Sequence, residues 1–148
     1  MALKRTGTAI WRGSVQKGNG TISTLSGAIR DTPYSVNTRF MSEDGKAGTN
    51  PEELIAAAHA SCFTMALSAQ LTNAGHEPAE LQTTATVTMD KQDIGWTITS
   101  IHLDTHGKVP GVSPDQFQKL AEEAKKGCPI SRALASVPAI TLNAKLDH

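Results

Sequence analysis

The spacing of apolar and polar residues changes several times along the chain, and each change marks an element. Thr8 to Arg12 is a short β-rich run that breaks at Gly13. Gly18-Asn19-Gly20 signals a turn, and Thr21 to Leu25 follows as a second strand. Thr32-Pro33 opens a third, with Tyr34, Val36, Thr38 and Phe40 on one face and Ser35, Asn37, Arg39 and Met41 on the other. After a loop from Asp44 to Gly48 the period turns helical. Asn50 is an N-cap residue, Pro51 suits the first helical position, and Glu52 and Glu53 place acids in the first turn. The predicted helix runs from Pro51 to about Asn73 and ends at Gly75. Leu54, Ile55, Ala58, Cys62, Met65 and Ala69 recur along it at helical spacing. Its many alanines make it narrow and apolar nearly all round, which predicts deep burial.

Beyond Gly75 strands return. Leu81 to Met89 is one, and Trp96 to Leu103 another, with Trp96, Ile98 and Ser100 opposed to Thr97, Thr99 and Ile101. Lys91 to Gly95 suits a hairpin loop between them. Ser113-Pro114-Asp115 begins a second helix, Pro114 to Lys126, with Phe117, Leu120, Ala121 and Ala124 as its inner stripe and Gly127 as its stop. Pro129 to Ser136 reads as a short third helix, and Val137 to Leu146 as a last strand with Ile140, Leu142 and Ala144 facing one way. The order is β-β-β-α-β-β-α-α-β. Strands come in hairpin-linked groups, which predicts an α+β fold with mostly antiparallel sheet.

Composition narrows the function. The 148 residues suit one domain, 1–148. Fourteen basic and fourteen acidic residues balance, so the surplus of cations that phosphate binding needs is missing and nucleic acid is not the expected partner. Aromatics make up only 4%, so the core must be aliphatic. No stretch reaches the roughly 18 to 20 apolar residues of a membrane helix, and Met1 to Thr6 lacks the apolar run of a signal peptide. The expectation is a soluble cytoplasmic protein with reduced thiols.

Two cysteines do not make a disulfide scaffold, and a separation of 66 positions is neither a CxxC motif nor a zinc ribbon. Cys62 lies on the apolar stripe of the long helix, where a cysteine is either an inert small hydrophobe or a shielded nucleophile. Cys128 follows a helix-ending Gly and precedes a helix-starting Pro. Exposed N–H groups at such a helix start favour thiolate, and a packed loop thiol is the plainer alternative. His59, one turn before Cys62, is either a base for it or a hydrogen-bonded core imidazole. His102 and His106 fall on a strand and the loop after it, where their spacing does not converge on a metal. No cofactor and no metal are expected. Glu52 and Glu53 are accounted for by the helix dipole, and Arg39 by an outer strand face.

Gly48-Thr-Asn-Pro-Glu-Glu-Leu-Ile-Ala-Ala-Ala-His-Ala-Ser-Cys62-Phe63 resembles the signature helix of the osmotically inducible protein C and organic hydroperoxide resistance (OsmC/Ohr) family. Gly127-Cys-Pro-Ile-Ser-Arg132 resembles its second cysteine motif, and the wording is closer to the OsmC branch. The resemblance implies a thiol peroxidase in which Cys62 attacks the peroxide and Cys128 resolves the sulfenic acid as a Cys62–Cys128 disulfide. It implies that Glu52 partners an active-site arginine. That arginine is Arg39 if it comes from the third strand, as in the OsmC branch, or Arg12 if from the earlier loop, as in the Ohr branch. It also implies an intertwined homodimer, with the sheets around a long central helix, and a dithiol reductant.

The chemistry is coherent. A free thiol of pKa near 8.5 is only a few per cent ionised at neutral pH, and burial alone would raise that pKa. A guanidinium at about 4–6 Å lowers it by roughly 1–3, and a carboxylate can hold the guanidinium's planar fork. Glu52, Arg39 and Cys62 therefore make a plausible unit. Apolar neighbours such as Phe63, Met65, Leu54 and Phe40 favour an alkyl hydroperoxide over hydrogen peroxide. Two other readings fit the same residues: a non-enzymatic small-molecule-binding dimer, and a Cys62–His59 thioesterase.

Overall fold

A computed structural model describes residues 1–147. They form two compact units, Met1–Leu54 and a second from Ile55 onward.

The first unit is a three-stranded antiparallel sheet of β1 (Gly7–Arg12), β2 (Asn19–Thr24) and β3 (Thr32–Tyr34), in that order. The hairpin turn lies earlier than the sequence predicts. It is built on Ser14 to Gly18, closed by Gly18 N–H to the Ser14 carbonyl at 2.7 Å. Gly20 is instead a strand residue, paired with Trp11 and Tyr34. Those two rings meet over it with centroids 5.4 Å apart. A Cβ at Gly20 would stand 2.7 Å from the Tyr34 ring and 2.9 Å from the Trp11 ring, so a glycine is required by close approach.

The third strand corrects the sequence reading. It stops at Tyr34, and Asn37–Met41 forms a single π-helical turn that carries Arg39. Ser35 and Thr38 cause the turn. The Ser35 N–H donates to Thr38 Oγ1 at 2.9 Å and the Thr38 N–H to Ser35 Oγ at 3.3 Å. Short polar side chains that satisfy nearby backbone groups compete with a sheet ladder, and here they win.

The long helix α1 runs Pro51–Asn73, as its spacing predicts. Asn50 Oδ1 caps it by accepting from the Glu53 N–H at 2.8 Å. At the other end Gly75 adopts φ 87°, with its N–H on the Thr72 carbonyl and the His76 N–H on that of Leu71. This is a Schellman stop.

The second unit is a sheet of order β4-β5-β6 with two helices. β4 (Glu80–Gln92) and β5 (Gly95–Lys108) form an antiparallel hairpin with Asp93 and Ile94 at its tip. Then follow α2 (Pro114–Gly127), α3 (Pro129–Ala133) and β6 (Ala139–Leu146). β6 pairs parallel to β5, because the intervening helices return the chain to the end from which β5 began. This sheet is therefore mixed. α3 is shorter than expected: Pro138 cannot extend it and biases Val137 out of helical geometry.

A bulge also corrects one strand face. Thr88 pairs with Ser100 and Met89 with Ile98, so Thr99 is the extra residue. The slip puts Ile98 and Ile101 on the same core-facing side, where strict alternation had opposed them. Ile101 and Leu103 then meet Phe63, Leu67 and Leu71 of α1 and Phe117, Leu120, Ala121 and Ala124 of α2.

The expected deep burial of α1 holds for one stripe only. His59, Phe63, Leu67 and Leu71 are buried, whereas Met65 is 76% exposed. α1 is also long and apolar enough to cross a membrane by length and composition alone, contrary to the sequence expectation. Its alanines account for that, and its large apolar side chains pack into the core of the second unit.

Gly107 tests this packing. A Cβ there would lie 2.6 Å from Cζ of Phe117 and 3.1 Å from Cδ2 of Leu81. Overpacking of this kind costs about 1–3 kcal/mol. Gly107→Ala is expected to lower the unfolding free energy by that amount, read as a lower urea midpoint with an unchanged slope, and a midpoint equal to wild type would show that the Phe117 ring gives way freely.

Candidate active site

Within the first unit, Arg39 grips Glu52. Its Nε donates to both carboxylate oxygens, at 3.1 and 3.2 Å, and its Nη2 donates to Oε1 at 2.7 Å. The guanidinium carbon lies 5.0 Å from the centroid of the Phe40 ring. The side chains are 37% and 13% exposed, so the pair contributes little to stability; what it fixes is orientation. Glu53 instead accepts from Thr49 Oγ1 at 2.9 Å. Arg12 ends β1 and is exposed. The arginine that binds Glu52 is therefore Arg39, and it reaches the carboxylate from the π-helical turn rather than from a strand.

In the second unit the two cysteines, 66 residues apart in sequence, come together. Cys128 is both the end of α2 and the cap of α3. Its N–H donates to the Ala124 carbonyl at 2.9 Å, its carbonyl accepts from Arg132 at 3.0 Å, and its sulfur accepts from the Ser131 N–H at 3.5 Å. Its Sγ lies 3.0 Å from Cys62 Sγ, and both thiols are free. Cys128 is fully buried and Cys62 partly open.

The sequence reading expects Cys62 to be the ionised sulfur. In this pair the two thiols shift in opposite directions. Burial pushes the Cys62 thiol up, and the hydrogen bond with Cys128 pushes it further. Burial also pushes Cys128 up, but its contacts with Cys62, with the Ser131 N–H and side chain, and with the Ile130 backbone outweigh it and leave Cys128 below the ordinary thiol value. The Ser131 N–H is the backbone donor that reaches the buried sulfur. Of the apolar neighbours expected around Cys62, Phe63 is fully buried in the core and Met65 is open to solvent.

His59 is a core imidazole, not a base for Cys62. It is fully buried, and its Nε2 lies 2.6 Å from Ser131 Oγ. Ser131 is a site residue that sequence reasoning missed. The available signal was its place three residues after a helix-capping cysteine, where its N–H and hydroxyl can both turn back to the sulfur.

Residues 43–143 match the OsmC-like protein family. The chain is 47% identical over 146 residues to "Peroxiredoxin OsmC" of Escherichia coli, covering 99% of each. The chain belongs to the OsmC/Ohr family. It is also 36% identical over 104 residues, 70% of its length and 73% of the relative's, to "Organic hydroperoxide resistance protein-like 1" of Staphylococcus epidermidis. In fold it is similar to an OsmC-like protein of Mycoplasma pneumoniae, with TM-score 0.77 at 16% identity and 100% of each chain covered. An organic hydroperoxide resistance protein OsmC of Legionella pneumophila gives 0.70 at 22%, again over the whole of both chains. The α+β architecture with a long helix is thus that of the OsmC/Ohr family.

His102 and His106 both lie on β5, not one on a strand and one beyond it. His102 Nδ1 is 2.7 Å from Thr141 Oγ1, and His106 lies 3.6 Å from both Asp104 and Asp147. Among the described residues no group of three or more His, Cys, Asp or Glu side chains is placed to hold a metal.

Burial lowers the pKa of His59. Protonation therefore favours the unfolded chain, whose histidine titrates near 6.5. The stability gained by keeping His59 neutral is whole above that pH and is lost as the pH falls below it toward the lower folded value. Chemical denaturation between pH 7 and pH 5 is expected to show wild type losing more stability than His59→Gln; equal losses would show that His59 is not the group responsible.

Proposed function

We propose that this chain is a Cys-based peroxidase that reduces organic hydroperoxides, with Cys62 as the attacking sulfur and Cys128 as the resolving one. The observation that carries this reading is the free thiol pair 3.0 Å apart, one member accessible and the other sealed. A disulfide needs about 2.05 Å between sulfurs, so closure asks for a movement of about 1 Å. A peroxide reaches the more open Cys62 first, which supports this order of events.

In the proposed cycle the Cys62 thiolate attacks the O–O bond. One oxygen stays as sulfenic acid and the other departs as the alcohol, taking up a proton. The two sulfurs face each other at 3.0 Å, so a proton on Cys62 can pass to Cys128 as Cys62 becomes the nucleophile. Arg39, oriented by Glu52, is assigned by the family resemblance and by its chemistry to favour charge on Cys62 and on the departing oxygen. Cys128 then displaces water from the sulfenic acid to give the disulfide, and a dithiol reductant restores both thiols. This cycle fits a reducing compartment such as the cytoplasm. A homodimer is part of the proposal: the open side of α1, with Met65 at its centre, is an apolar face that a second copy would cover. The preference for organic hydroperoxides rests on the names of the relatives. His59 is committed to Ser131, so a Cys62–His59 dyad for thioester chemistry has no support.

Reduced protein titrated with an organic hydroperoxide is expected to lose two hydrogens by mass, with Cys62 linked to Cys128. Cys62→Ser should abolish consumption, and Cys128→Ser should gain one oxygen at Cys62. Wild type that keeps the oxygen and never forms the bond removes Cys128 from its role. For substrate preference, kcat/KM should be higher for an organic hydroperoxide than for hydrogen peroxide, and comparable values reject the preference.

A further inference from the structure

Disulfide closure needs Cys128 as a nucleophile, yet Cys128 is fully buried and has no water-facing route for charge. The structure surrounds it with donors of a particular order. The Ser131 N–H points at Cys128 Sγ from 3.5 Å, and the Ser131 side chain, beside the same sulfur, helps hold the thiol below its ordinary value. Behind Ser131 lies His59, with Nε2 at 2.6 Å from the hydroxyl oxygen. The second ring nitrogen, Nδ1, is buried and has no hydrogen-bond partner among the described residues.

That unmatched nitrogen decides the direction of the chain. A buried N–H without an acceptor is rarer, and costs more, than a buried lone pair without a donor. The imidazole proton therefore belongs on Nε2, the nitrogen that faces Ser131. Nε2–H then donates to Ser131 Oγ, which leaves the serine hydrogen free for the sulfur. The opposite tautomer would make Ser131 donate to His59 and take that hydrogen away from Cys128.

We propose that His59 and Ser131 form a directed donor chain that holds Cys128 as the attacking thiolate in disulfide closure, Ser131 touching the sulfur and His59 acting through it as a positioning residue. The inference deepens the peroxidase reading and rests on Cys128 being the resolving sulfur. In the step, the Cys128 sulfur pair forms the S–S bond while the Cys62 S–O bond breaks. The hydroxide released takes the proton that Cys128 had given up and leaves as water. The Cys128 sulfur is oxidised and the Cys62 sulfur reduced from its sulfenic state.

The test separates closure from peroxide chemistry. Cys62 of the full-length protein is loaded as a mixed disulfide with glutathione, and release of glutathione by Cys128 is followed. In parallel the reduced protein is mixed rapidly with an organic hydroperoxide. Ser131→Ala and His59→Leu are expected to close about ten- to hundredfold more slowly in both arms, the range set by losing one charge-assisted hydrogen bond. Closure is read as the first-order step that follows sulfenic acid formation, so a change in the preceding peroxide step does not enter the rate. Ser131→Thr and His59→Gln each keep the required donor and should restore most of the closure rate. Nitrogen NMR of the labelled wild-type imidazole should find the proton on Nε2, a readout that stands even if a variant does not fold. Closure at wild-type rate in Ser131→Ala, or a proton on Nδ1, overturns the inference. Failure of the peroxide arm alone, with slowed glutathione release, overturns the peroxidase reading and leaves the donor chain standing.

Discussion

The approach of two sulfurs to 3.0 Å is the constraint on which the second unit depends. It is enforced by backbone, not by the thiols. α2 must end and α3 must begin at the same residue, so Cys128 has its N–H tied to one helix and its carbonyl to the next. A residue fixed at both peptide groups has little freedom to withdraw its side chain. On the other side, Cys62 is held by α1, whose buried stripe anchors it against β5 and α2. The pair is thus pre-positioned, and the entropy of bringing two reactive groups together is met during folding.

Electrostatics then separates two sulfurs that begin chemically alike. Both are raised by burial, but Ser131 serves only Cys128. In a low-dielectric interior a hydrogen bond is electrostatically stronger than in water, so one contact more or less moves two neighbouring thiols apart. The Arg39–Glu52 pair in the first unit follows a different logic. It is partly exposed, and its value lies in the fixed direction of a planar fork rather than in stability.

Much of this was legible in the chain. α1 was readable to the residue, because Asn50, Pro51 and Gly75 are strong boundary signals. The inner stripe of α2 was readable from its spacing. Three features were not. Ser35 and Thr38 end β3 through reciprocal side-chain hydrogen bonds, while the residues around them still alternate like a strand. The bulge at Thr99 leaves no mark in a run of Thr, Ile and Ser, because any of these can be the extra residue. The parallel pairing of β6 depends on where two helices return the chain, which hairpin-based reasoning does not address. In the site, the family motifs pointed to Cys62, Cys128 and Glu52 and left the arginine as Arg39 or Arg12; the structure pairs Arg39 with Glu52. The motifs did not reveal Ser131, whose part depends on the turn of a five-residue helix, nor that the two thiols shift in opposite directions.

The sequence distance between the cysteines has a thermodynamic consequence. A covalent link across 66 residues removes conformational freedom from the denatured chain worth about 4 kcal/mol in the loop-entropy description. That is a sizeable share of the roughly 5–15 kcal/mol that keeps a domain folded. Oxidative turnover and resistance to unfolding would then rise and fall together, and the reductant that resets the thiols would return the chain to its more pliable form.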